Sequence, residues 1–172
     1  EGSALEEITY EGYGPGGAAV MIQVVTDNRN RTVSELRHAF SRAGGSLGES
    51  GCVAWLFESR GIIEASADGR SSEDLALLAI DAGAEDVRTE EDVVEIYTDP
   101  TRLEDVRRSL ENEQIPIQSA ESTMLPKTTV DLADSEAEQV LKLIERLEEL
   151  DDVQQVYSNV EFDDELMERY AG

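Results

Sequence analysis

Cysteine, histidine, aromatic and basic residues are all scarce in this sequence, and each shortage removes a class of explanation. Cys52 is the one cysteine among 172 residues. No disulfide can form within the chain, a pattern that fits a reducing, cytoplasmic setting. A nucleophilic role for Cys52 would need a base beside it, and the one histidine is His38. A small buried strand residue is the simpler reading of that thiol. No Ser/His/Asp set, zinc spacing or paired-carboxylate cleft is visible. The acidic runs Asp151-Asp152 and Asp163-Asp164-Glu165 lack EF-hand spacing and read as solvated surface. The chain therefore reads as a non-enzyme, with no catalytic residue, metal or cofactor expected. Aromatics make up 5% of residues, so the cores must be aliphatic. No run approaches the roughly 18–20 apolar residues of a membrane helix, and none reads as a signal peptide. No membrane partner is expected.

Bases are the scarcest charge: 14 Lys and Arg face 39 Asp and Glu, for a formal charge of −25. The acidity is concentrated in residues 58–125 and 126–172. Against it, Asn28 to Gly48 holds four arginines and a single acid, Glu35. Beyond about 8 Å salt screens exposed charges at physiological strength. A small basic patch can therefore meet an anion on an acidic body. Arg29, Arg31, Arg37 and Arg42, with Asn28 and Asn30 in the same loop, are the candidate nucleic-acid contacts. Tyr13 and Gly16 join them from the turn Tyr13-Gly14-Pro15-Gly16-Gly17, whose glycines would let a phosphate backbone come close. That turn is no Walker motif, since a strand and not a helix follows. The alternatives stay open here: a positive-φ turn between strands, and an ordinary solvated helix face with Arg42 near a C-terminus that favours cations.

Periodicity divides the chain into alternating elements. Ala18 to Thr26, apolar on both faces, reads as a central strand after a short one at Ile8 to Tyr10. A helix is expected from Thr32, with Thr32 and Glu35 as a capping box, ending at Gly44-Gly45. Cys52 to Phe57 reads as the next strand. Gly61 to Leu125 then gives β-α-β-β-α-β. After it, Thr128 to Leu132 reads as a strand, Ser135 to Leu150 as a helix and Val153 to Phe162 as a closing strand. The expected fold is α+β, an α/β sandwich of two ferredoxin-like units, the second inserted into the first. The outer unit would comprise 1–57 plus 126–172 and the inserted one 58–125.

The runs Glu11-Gly12-Tyr13-Gly14-Pro15-Gly16-Gly17, Thr26-Asp27-Asn28-Arg29-Asn30-Arg31-Thr32 and Gly44-Gly45-Ser46-Leu47-Gly48-Glu49-Ser50-Gly51 closely resemble the YebC/PmpR family. That family includes the mitochondrial translational activator of cytochrome oxidase. Gly83-Ala84-Glu85-Asp86 and the Pro126 segment leading into Val130-Asp131-Leu132 match as well. The likeness runs along essentially the whole chain. It implies a three-domain architecture of which the second and third domains are seen, the family's lysine-rich helical domain lying upstream of Glu1. It implies a regulator of gene expression, described in the family both as DNA-binding and as ribosome-associated.

Three functions follow as expectations. The first is a nucleic-acid-associated regulator touching DNA or ribosomal RNA, with the ribosome as a partner and no oligomeric state assigned. The second is a small-molecule-sensing module, supported by fold analogy alone. The third is an acylphosphatase-like enzyme using Arg29 with Asn28 or Asn30, for which nothing else in the sequence matches.

Overall fold

The computed structural model describes residues 4–171, with side chains through residue 169. The chain forms two compact units, one made of the residues up to Phe57 together with those from Pro126 onward, the other of Glu58–Leu125. In the outer unit β1 (Glu6–Tyr13) and β2 (Ala19–Thr26) form a hairpin, followed by α1 (Arg29–Ala43) and the two-residue β3 (Ser46–Leu47). The inserted unit holds β4 (Phe57–Ser66), α2 (Ser72–Ala82), β5 (Asp86–Glu90), β6 (Val93–Thr98), α3 (Leu103–Asn112) and β7 (Ile117–Pro126). The chain then returns to the outer unit as α4 (Asp134–Glu148), β8 (Val153–Ser158) and α5 (Asp164–Ala171).

Each unit is built on one four-stranded sheet, ordered β3-β1-β2-β8 and β5-β6-β4-β7. The fold is thus α+β, two ferredoxin-like units with one inserted in the other. β2 is interior because its residues are apolar on both faces. Val20, Ile22 and Val24 are buried with Leu36, Ala39 and Phe40 of α1 and Leu143 and Leu147 of α4. Each buried Val, Leu, Ile or Phe of this set contributes about 1.5–3 kcal/mol. The inserted unit repeats the plan with Ile63 and Ala65, Leu75 and Ala79, Val94 and Ile96, Val106 and Leu110.

Several local expectations are corrected. Thr128–Leu132 is not a strand; Val130 makes one isolated parallel bridge to Val160. The place beside β2 is already taken by β1, which lies between β2 and β3 in the sheet. α1 begins at Arg29, not Thr32, because Asn28 caps it: its Oδ1 accepts the Arg31 N–H at 3.1 Å. Cys52–Phe57 is not a strand either. Ala54–Leu56 form a 3-10 turn and β4 starts at Phe57. β8 stops at Ser158, and α5 follows where no helix was expected, the Asp163 carboxylate accepting the Leu166 N–H at 2.7 Å.

Candidate nucleic-acid interface

The arginine loop is organised by a carboxylate far from it in sequence. Asp152, in the turn before β8, accepts a 2.7 Å hydrogen bond from Thr32 Oγ1 and a 3.3 Å bond from Thr26 Oγ1. Arg31 Nη2 donates to both its oxygens at 3.0 Å. The Asp152 side chain is only 12% exposed, so the reading of Asp151-Asp152 as wholly solvated is corrected. The Thr32 hydroxyl first, and Arg31 with it, hold this carboxyl below the usual carboxylate range. Arg31 also pairs with Asp27 at 3.1 Å, and Arg29 pairs with Glu6 at 3.0 Å. Asn28 is committed to the cap, and Asn30 lies exposed on the first turn of α1. Both N-terminal arginines are thus engaged by carboxylates, and Arg29 also lines a cleft together with Arg37.

Arg37 and Arg42 are different. Both are exposed on α1, and neither makes an ion pair among the described residues. Arg42 shares a hollow of about 150 Å³ with Ala43 and with Gln139, Lys142 and Arg146 of α4. Lys142 and Arg146 likewise have no ion pair among the described residues. They were not singled out from the sequence, because α4 carries more acids than bases. Their four-residue spacing, one helical turn, was the available signal. Arg37 lines a separate cleft of about 390 Å³ whose walls include Tyr10 and Glu11 of β1 and Leu47, Gly48 and Ser50.

The glycine turn is closed on itself. Pro15–Gly17 make a single 3-10 turn with Gly16 at φ 70°. The Gly14 N–H donates within the turn to Ala18 O at 2.7 Å. A side chain added at Gly16 would meet the Glu136 carboxylate carbon at 3.2 Å, so a negative group already sits there. Gly16 is a turn residue facing an acid.

Next to it, Glu11 does what a strand was expected to do for the segment after Gly51. Its buried carboxylate accepts N–H bonds from Gly51 at 2.7 Å, Val53 at 2.9 Å and Ala54 at 2.7 Å. These bonds tie the loop to β1 and leave Val53 and Ala54 no free N–H for a sheet partner. The Cys52 carbonyl accepts both the Tyr13 hydroxyl at 3.2 Å and the Trp55 indole N–H at 3.1 Å. Partial burial, with the Glu11 charge beside it, pushes the Cys52 thiol up, away from nucleophilic thiolate chemistry. Burial also raises the Tyr13 phenol. Among the described residues no helix is long and apolar enough to cross a membrane.

Comparison with known proteins places these features in company. The family described as "TACO1/YebC second and third domain" matches residues 5–160. A "Probable transcriptional regulatory protein" of Dehalococcoides mccartyi is 54% identical over 170 residues, covering 99% of this chain and 68% of that protein. One of the same name from Pelotomaculum thermopropionicum is 54% identical over 165 residues, covering 95% and 68%. The crystal structure of a conserved hypothetical protein from Aquifex aeolicus is similar at a TM-score of 0.84 and 51% identity, covering 95% of this chain and 68% of that one.

Proposed function

The chain belongs to the TACO1/YebC family, and on that premise we propose that it is a non-catalytic regulator of gene expression that works by contacting nucleic acid. The relatives' names say transcriptional regulation. Contact with DNA or ribosomal RNA, association with the ribosome and a cytoplasmic setting are the finer parts of the proposal.

One observation carries it. On a chain of charge −25, Arg37, Arg42, Lys142 and Arg146 stand on α1 and α4 of the outer unit with no ion pair among the described residues. Cations kept apart from so many available carboxylates suit an external polyanion. Four phosphates neutralised would give log K against log salt a slope of about −3 to −4. The anionic remainder suits a setting rich in basic protein, such as the ribosome surface, by opposite charge.

The test is binding of duplex DNA, single-stranded RNA and ribosomes across a salt series, using the parent and a variant with all four cations changed to Glu. The variant should lose binding and the salt slope together. Unchanged binding would reject this face, and no binding by the parent at low salt would reject the function.

A further inference from the structure

Tyr13 and Trp55 are 40% and 66% exposed, the two exposed aromatic side chains among the described residues. They sit 42 positions apart in sequence, yet both give their hydrogen-bond donors to the same Cys52 carbonyl, as described above. The polar tip of each ring is thus turned inward and held, leaving apolar ring surface open to solvent. The loop beneath them is pinned at three N–H groups by Glu11. These are costly features for a mere surface decoration. Ordering two large side chains is unfavourable without compensation, and exposing an indole to water forgoes its burial.

From this pair we infer that the outer unit stacks an unpaired nucleobase on Tyr13 and Trp55, so that its nucleic-acid partner is single-stranded. The inference rests on the nucleic-acid reading above and narrows it to a class of strand. Stacking on pre-ordered aromatics tolerates any base, because every base has a π-face. A duplex keeps its base faces covered by their neighbours and cannot use such a platform without unstacking. A cation on α1 faces the same loop. Gly48 and Ser50 line one cleft with Arg37 and Arg29, and Glu11 lines it too while its carboxylate is satisfied by the loop. A cation-lined cleft and an aromatic pair that meet at one pinned loop match the paired needs of a strand, phosphate and base.

Trp55 is the only tryptophan, so its fluorescence reports on this surface alone. The experiment titrates the chain with a mixed-sequence single-stranded RNA and with the corresponding duplex at equal salt. Variants Trp55→Leu, Trp55→Phe and Tyr13→Leu are run beside the parent, each checked for an unchanged melting temperature. The single strand should quench Trp55 and the duplex should not. Trp55→Leu should weaken single-strand binding by roughly 5- to 150-fold and spare duplex binding, while Trp55→Phe, which keeps a ring, should retain most of the affinity. Single-strand binding without quenching, and indifferent to Trp55→Leu, would overturn the stacking and leave nucleic-acid contact standing. Self-association abolished by Trp55→Leu would assign the pair to a second copy of this chain and overturn the proposal. Failure to bind either strand at low salt would remove the underlying function with it.

Discussion

Thr32 Oγ1 lies 2.7 Å from Asp152 Oδ2, across 120 residues of sequence. This one bond joins the first turn of α1 to the turn before β8. Those are the two ends of the outer unit that the insertion separates. Changing Asp152 to Ala leaves two threonine hydroxyls and the Arg31 guanidinium without their acceptor. The expected loss is about 1–3 kcal/mol, read as a lower urea midpoint at unchanged slope.

The same carboxylate predicts a pH dependence with a definite sign. Its folded pKa is depressed, with the Thr32 bond as the main cause. Stabilisation by a depressed carboxylate is complete above its unfolded pKa, about 3.9, and is lost as pH falls through the folded value. The stability gap between the parent and Asp152→Asn should therefore be constant from about pH 6 to 7 and close below about pH 4. A gap that widened on acidification would contradict the assignment.

Glu11 should matter as a loop clamp. In Glu11→Ala three N–H donors lose their acceptor, two of them on residues at least partly buried. A cost of about 2–3 kcal/mol is expected. The freed loop should also show faster proteolysis between Gly48 and Leu56 and greater acrylamide quenching of Trp55.

Adjacent glycines should respond differently to the same change. Gly44 caps α1 at φ 86° with open space around it, so Gly44→Ala carries only the left-handed strain, about 1–2 kcal/mol. At Gly45 a methyl group would collide with the Tyr13 carbonyl oxygen and come within 3.0 Å of Gly14 Cα. Backbone cannot yield as a side chain can, so Gly45→Ala should be far the more damaging in thermal melts.

Arg31 and Arg42 should separate stability from binding. Arg31 is 45% exposed and doubly paired, so Arg31→Gln should cost less than about 1 kcal/mol and leave oligonucleotide affinity unchanged. Arg42→Gln should leave melting unchanged and reduce the salt slope of binding by about 1.

The sequence made the regular parts of this fold legible for local reasons. β2 is apolar on both faces, α2 runs from a serine cap to a glycine stop, and β5 and β6 meet across an acidic turn. What stayed hidden was decided at a distance. Nothing local to Cys52–Phe57 shows that Glu11, 40 residues before Gly51, will take its N–H groups and prevent a strand. Nothing in Asp151-Asp152 shows which aspartate turns inward toward Thr32. The basic face was half legible: the α1 arginines stand out by composition, but only packing brings Lys142 and Arg146 of α4 beside Arg42. Packing likewise pairs Arg29 with Glu6 and Arg31 with Asp27 and Asp152, partners that composition does not assign.

The insertion between Phe57 and Pro126 sets an order of events during synthesis. All four strands of the inserted sheet exist once Pro126 has been made, whereas β2 must wait for β8 to gain its second neighbour. A nascent chain halted near Ala133 would thus hold a closed inner body joined to an outer one still missing a wall. Vectorial elongation makes the segment from α4 through β8 the step that completes the outer sheet, and the Thr32–Asp152 clasp shuts only once that segment is made.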